Sequence, residues 1–205
     1  MITERLVAQF RNPHGPLGWV AGGVMSRRES NVTRTLATVD LLELSAPDRV
    51  LEIGHGPGVG LAAALAVADE VVGLEQSTAM RSMAERRNRA AVRSGRLSLV
   101  IADAQDPPPG LDGFDAIFSS NVWQFWSDQV ATLSAWRDRL RPGGTMAVTF
   151  RPPLSGATER EALEAGGLVV DQLAEAGYRD VRLVAIPIGE VPAVCGLGRR
   201  PDRAL

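Results

Sequence analysis

The 205-residue sequence contains no lysine: all 22 of its basic residues are arginine. That excludes a Schiff-base lysine and the lysine of a phosphate-binding loop. A single cysteine, Cys195, leaves no partner for a disulfide within the chain and no cysteine set for zinc, so no metal site is expected. Cys195 itself reads as a buried strand residue. Runs of basic residues are missing and the formal net charge is −2, which argues against a nucleic-acid footprint. The first residues lack the charged start and apolar centre of a secretion signal. No apolar run approaches the roughly 20 residues needed to span a bilayer. The cytoplasm is the expected compartment.

What is present is ordinary for one folded domain: 45% hydrophobic and 22% charged residues, with no internal repeat. Residues 1–45 are expected to form a helical arm or cap, broken by the turn-rich "NPHGPLG" at 12–18. Ser26 and Glu29 have the spacing of a capping box, ahead of a helix running to about Glu43. From Arg49 onward apolar runs and helical stretches alternate in a βα rhythm. Strands are expected at 49–54, 70–75, 97–102, 114–119 and 144–150, with helices at 58–68, 77–94, 128–140 and 158–176. "DPPPG" at 106–110 is a stiff connector, because proline continues neither a helix nor a central strand. "RPGG" at 141–144 ends a helix and turns into the next strand. Two last strands, near 180–187 and 191–198, are joined by too few residues for a parallel crossover and must form an antiparallel hairpin. The expected fold class is α/β: a doubly wound, mostly parallel seven-stranded sheet with one reversed element at its edge.

The stretch "VLEIGHGPGVG" at 50–60 follows the first strand and opens a helix. Alternating glycines at 54, 56, 58 and 60 let the backbone turn sharply and approach a ligand closely. Open α/β sheets bind ligands at the carboxyl ends of their strands, where a helix N-terminus adds N–H groups. The dinucleotide fingerprint G-x-G-x-x-G would need a glycine at 59, where Val59 stands. The spacing is E-x-G-x-G-x-G, with Glu52 two residues before Gly54.

Four further segments follow in order: "VVGLEQSTAM" at 71–80, "VIADAQDPP" at 100–108, "FDAIFSSNVWQFW" at 114–126 and "LRPGGTMAVTF" at 140–150. Together with "VLEIGHGPG" they make residues 30–200 resemble the class I S-adenosylmethionine-dependent methyltransferases, of the small-molecule type. The resemblance implies a Rossmann-like methyltransferase domain over 46–205, and S-adenosylmethionine as cofactor with S-adenosylhomocysteine as its product. It places Gly54, Gly56 and Gly58 along the methionine tail, with Glu52 holding the loop or reaching the tail's ammonium. It sets Glu75 at the ribose, with Gln76 also in contact with the cofactor, Asp103 and Ala104 at the adenine, and Asn121 under the sulfonium. The chemistry agrees, since a carboxylate at a strand end can accept two ribose hydroxyls at once.

The reaction implied is in-line displacement, in which alignment of the acceptor matters more than acid–base help. Catalytic candidates are His14, Asn121 and Trp123, and each has a plainer reading: a turn residue, a turn former and a core side chain. His55, between two loop glycines, is expected to point to solvent. Where the family's DNA-amino motif would stand, the chain has "SSNVW", so the expected acceptor is a small molecule. Phe10, Trp19, Val20, Val24 and Met25 give the arm an apolar content that suits an apolar or aromatic acceptor, or weak contact with lipid. Two other readings stay open: a cofactor-binding protein of the same fold without transfer activity, and a nicotinamide oxidoreductase. The oligomeric state is open as well.

Overall fold

Short apolar runs become strands here, and the helices between them cover both faces. The computed structural model describes residues 29–152 and 156–202. Helix α1 (Glu29–Asp40) is followed by β1 (Arg49–Ile53), α2 (Val59–Leu65), β2 (Glu70–Glu75), α3 (Thr78–Arg87), α4 (Arg89–Arg93) and β3 (Leu97–Ile101). Then come β4 (Phe114–Ser120), a 3₁₀ turn (Trp123–Phe125), α5 (Gln129–Arg137), β5 (Leu140–Phe150), α6 (Glu159–Glu175), β6 (Arg179–Ile186) and β7 (Ala193–Arg199). The seven strands form one sheet in the order β3-β2-β1-β4-β5-β7-β6. Strands β3, β2, β1, β4 and β5 pair in parallel, and β7 runs antiparallel to both β5 and β6.

The hairpin is therefore present, but its reversed strand is not at the edge. Strand β6 takes the edge and β7 returns into the gap beside β5. The burial pattern shows why. Every residue of β7 except Arg199 is buried, while the residues of β6 before Ile186 are all exposed or half-buried.

The period-2 alternation of the strands separates two apolar layers. Val50, Ala116, Phe118 and Ala147 face α1 and α2, with Val39, Leu42, Leu61 and Ala64 packed on them. Leu51, Ile53, Ile117, Met146 and Val148 face the other side, against Leu133 and Trp136 of α5 and Val169 and Leu173 of α6. Trp136 is fully buried, and its indole N–H donates to the Ala104 carbonyl at 2.8 Å, tying α5 to the loop after β3. Helix α6 starts at a complete capping box: Thr158 Oγ1 accepts from the Glu161 amide, and Glu161 Oε2 accepts from the Thr158 amide at 2.7 Å.

Three local expectations change. The helix expected to reach Glu43 stops at Asp40, and Glu43 adopts a positive φ of 52°, which ends the helical path. Ser26 lies outside the described residues. The helix expected over 77–94 divides at Asn88, whose side-chain amide donates to the carbonyls of Gly58 and Ala84, both at 3.1 Å. Finally, "RPGG" lies within β5, with a register shift against β4 between Phe114 and Ala116 and a left-handed Gly143. Among the described residues no helix is long and apolar enough to cross a membrane.

Candidate functional site

Strand β1 delivers the chain to the carboxyl edge of the sheet, where Gly54 donates its amide to the Leu74 carbonyl at 2.7 Å. Gly54, Gly56 and Gly58 all have positive φ, at 68°, 50° and 80°. Side chains rarely adopt that conformation, and three such residues in five make a loop that only glycine builds without strain. The loop is fastened from several sides. The Gly58 amide closes onto the His55 carbonyl at 3.0 Å, Asn88 holds the Gly58 carbonyl, and Arg87 Nε donates to the Pro57 carbonyl at 3.0 Å.

Glu52 and Glu75 stand on either side of this loop. Glu52 is buried on β1, and the backbone N–H of Leu61 donates to it. Among the described residues its Oε2 is buried without a partner. The missing side chain at Gly60 makes room for the carboxylate, since a Cβ there would stand 2.7 Å from Glu52 Cδ. Burial holds Glu52 well above the usual carboxylate range; the Leu61 amide opposes this rise and the charge of Glu75 adds to it. A cationic ligand would reverse that balance. Glu75 ends β2 at 7% exposure. Its Oε2 accepts from the Gly56 amide at 3.1 Å and its Oε1 from the Ser77 amide at 3.0 Å. Burial raises its pKa, and the amides of Ser77, Gly56 and Gln76 pull against the rise. A carboxylate has about four acceptor positions, so these bonds leave room for hydroxyl donors.

Around the edge, Gln76 and Asp103 are exposed, and Asp103 Oδ1 accepts from the Gln105 amide at 2.9 Å in a side-chain turn. Ala104 is buried, with its carbonyl on Trp136. Asn121 follows β4 with φ 57°, and its side chain clasps Arg151: Oδ1 accepts from the Arg151 amide at 2.8 Å, while Nδ2 donates to the Arg151 carbonyl at 3.4 Å. Trp123 is buried, donates its indole N–H to Gln172 Oε1 at 2.8 Å, and meets Phe150 edge-on at 5.8 Å. The geometry gives Asn121 and Trp123 structural duties, joining the ends of β4 and β5 and seating α6. His14, like Phe10, Trp19, Val20, Val24 and Met25 of the arm, lies outside the described residues. Among the described residues no group of three His, Cys, Asp or Glu side chains could hold a metal ion.

His55 departs from expectation: it is 3% exposed, turned inward against Gly73, with Nδ1 2.8 Å from the Gly56 carbonyl. A single residue between glycines has no periodicity from which its direction could be read. Burial brings its pKa down from 6.5 to about 4, the Gly56 carbonyl opposes, and the positive Arg81 adds to the fall. The unfolded chain therefore takes up a proton near pH 6.5 while the folded histidine stays neutral until about pH 4, so its contribution to stability is lost as pH falls through that window. Glu52 and Glu75, both raised, act in the opposite sense. The histidine's share is isolated by comparing wild type with His55→Gln, which keeps both carboxylates. Between pH 7 and pH 4.5 wild type is expected to lose melting temperature relative to the variant. Parallel profiles would mean that His55 titrates freely.

Sequence reasoning also missed Asn88, Arg87, Arg34 and Arg151. Asn88 interrupts a helical run, which is a weak signal. The arginines carry no motif, and only the packing of α1 on the sheet reveals Arg34.

A glycine loop after β1, an acid at the end of β2 and a sheet with β7 reversed beside β5 define a methyltransferase of the Rossmann-like class. A family model described as a methyltransferase domain matches residues 50–144. Together with the similarities to known methyltransferases, that match supports a class I S-adenosylmethionine-dependent methyltransferase, with S-adenosylmethionine as its cofactor. It is 26% identical over 184 residues to the uncharacterized methyltransferase YdaC of Bacillus subtilis, covering 89% of this chain and 98% of that protein. It is 33% identical over 103 residues to a trans-aconitate 2-methyltransferase of Streptomyces avermitilis, covering 49% of this chain and 38% of that one. Its fold is similar to that of the methyltransferase solved in complex with the Haloferax volcanii Trm112 methyltransferase activator, with a TM-score of 0.72 at 19% identity over 90% of this chain and 96% of that one.

The residues present fit the cofactor. The orphaned Glu52 oxygen asks for a cationic or donor partner, and beside the left-handed Gly56 the loop is open, with no described residue beyond its chain neighbours within 4 Å of where a Cβ would stand.

Proposed function

We propose that the protein methylates a small molecule by in-line displacement, at the carboxyl ends of β4 and β5. The observation that carries this is the cover over that edge. Helix α1 lies close on it: Arg34 reaches the Ser120 hydroxyl at the end of β4 at 2.9 Å, and Thr38 Oγ1 meets Thr149 Oγ1 at 2.7 Å. An edge closed this tightly suits an enclosed small acceptor better than a polymer. The arm before α1 serves as the lid in this reading, any lipid contact runs through it, and the enzyme works in the cytoplasm.

Each protein group then has a duty. Glu52 receives the cofactor's ammonium, the amides of the 54–58 loop line its tail, and Glu75 and Gln76 orient the ribose. Asp103 and Ala104 take the adenine edge, and Asn121 holds the strand ends at the transfer face. When bound, S-adenosylmethionine supplies a methyl group already activated on a sulfonium. What remains for the chain is to align the acceptor and exclude water, which can lower a barrier by about 7–11 kcal/mol in favourable cases.

A thermal-shift series tests the site. S-adenosylhomocysteine at 100 times its dissociation constant is expected to add about 2.7 kcal/mol of stability. NAD should add nothing, because Val59 breaks the dinucleotide spacing. A clear shift with NAD and none with S-adenosylhomocysteine would overturn the assignment of the loop.

A further inference from the structure

Two buried guanidinium groups lie at the carboxyl ends of β4 and β5, and among the described residues neither has a carboxylate partner. Arg34 of α1 is 6% exposed, with Nε donating to Ser120 Oγ at 2.9 Å and Nη1 to Asn31 Oδ1 at 3.1 Å. Arg151, just after β5, is 7% exposed, with Nε donating to the Val191 carbonyl at 3.0 Å and Nη2 to the Ile188 carbonyl at 2.8 Å. Strand alternation puts Arg151 on the same face as Thr149, whose hydroxyl touches Thr38 one turn along α1 from Arg34. The ion pairs among the described residues all use other arginines: Arg49, Arg81, Arg137, Arg141 and Arg160.

Burying a cation without a counter-charge is costly, and burying two side by side costs more. Burial first, and the charge of Arg151 second, lower the Arg34 pKa to about 10, so the two charges are close enough to repel. Arg151 spends its donors on two carbonyls of the β6–β7 connection, which is a structural clasp. Arg34 is different. Of its five N–H groups, those of Nη2 donate to none of the described residues. The Ser120 hydroxyl, at the end of β4, fixes the plane of the fork. A guanidinium fork matches the geometry of a carboxylate or a phosphate, which it can grip with two parallel bonds.

We infer that the methyl acceptor carries an anionic oxygen group, a carboxylate or a phosphate ester, seated on the free side of the Arg34 guanidinium with the Arg151 charge behind it. This rests on the methyltransferase reading of the site. It is compatible with an otherwise apolar or aromatic acceptor, whose anionic end would neutralise the buried pair. The seat would also orient the molecule, because a bidentate pair leaves little freedom for the nucleophilic atom at its other end.

The test uses the full chain saturated with S-adenosylhomocysteine, at constant ionic strength in chloride. Benzoate, inorganic phosphate and the neutral benzamide are titrated while the melting temperature is followed. Benzoate or phosphate is expected to raise it in a saturable way, and which of the two does so separates carboxylate from phosphate; benzamide should not. By calorimetry, Arg34→Gln is expected to lose about tenfold or more in affinity for that anion. Its affinity for S-adenosylhomocysteine should stay within about twofold. Arg160→Gln, which removes an exposed arginine of α6, controls for net charge and should bind the anion as wild type does. If Arg34→Gln does not fold, Ser120→Ala removes only the bond that aims the fork, and a several-fold loss of anion affinity is expected. A response to S-adenosylhomocysteine with none to either anion, or equal losses in Arg34→Gln and Arg160→Gln, overturns the inference alone. No response to S-adenosylhomocysteine would instead remove the reading beneath it, and the inference with it.

Discussion

Gly54→Ala is expected to lower the melting temperature by roughly 5–15 °C and to weaken S-adenosylhomocysteine binding by at least about tenfold. Two costs add. The first is backbone: at φ 68° an L-residue pays about 1–2 kcal/mol that glycine does not. The second is packing: the new Cβ would stand 2.9 Å from Val122 Cγ1 and 3.2 Å from Val122 Cβ. Forcing an extra methyl into such a contact costs about 1–3 kcal/mol. At this chain length each kcal/mol moves the midpoint by about 2–4 °C. The binding loss follows from position, since Gly54 is tied to Leu74 and cannot shift without carrying Gly56 and the Glu75 contact with it. The double variant Gly54→Ala/Val122→Ala separates the terms. It should recover part of the packing cost and none of the backbone cost. Melting and affinity both equal to wild type in the single variant would mean that the loop tolerates a side chain and is no cradle.

What was legible in the chain, and what was not, follows the range of the forces involved. Strand β1 could be read because "RVLEI" is a short apolar run ending at glycine, a purely local signal. Glu75 could be read because a carboxylate closing the apolar run "VVGLE" is costly to bury unless something at that edge uses it. The hairpin of β6 and β7 could be read from the length of its connection. Its seating could not, because the choice of which strand lies beside β5 depends on α6 reaching over the gap to the edge. The break at Asn88 was hidden because its cause lies 30 residues away in sequence, at the Gly58 carbonyl. Arg34 and Thr38 sit on the buried side of α1, where an apolar stripe would be expected, and their partners Ser120 and Thr149 come from other elements. A polar contact between distant segments leaves no periodic trace in either. The candidate site was therefore legible at the glycine loop and the strand ends, and illegible where helix α1 meets the sheet.

Glu75→Ala carries the largest expected loss of cofactor affinity, about 100-fold or more. In the proposed reading the carboxylate has two tasks. Towards the ligand, it offers the remaining acceptor positions to the ribose hydroxyls; hydrogen bonds to a charged group are worth about 1.5–3 kcal/mol each, so two of them reach a hundredfold. Towards the protein, it holds the Gly56 amide at 3.1 Å and the Ser77 amide at 3.0 Å, so the glycine loop and the start of α3 share one anchor. Truncation leaves both amides without that acceptor, and a lower melting temperature is expected alongside the lost affinity, with the fold kept. Glu75→Gln tests the division. One oxygen survives to accept, but the amide nitrogen presents donors where the carboxylate presented acceptors, so one backbone N–H or one hydroxyl must face another donor. Its affinity should fall between wild type and alanine, and its melting temperature likewise. Calorimetric titration with S-adenosylhomocysteine, with circular dichroism on the same samples, makes both measurements. A native spectrum, a lowered midpoint and an unchanged dissociation constant in Glu75→Ala would confine Glu75 to the loop anchor and move the ribose site elsewhere along the edge. An unchanged midpoint with a hundredfold loss would show the reverse, that the two amides find other acceptors and the carboxylate serves the ligand alone.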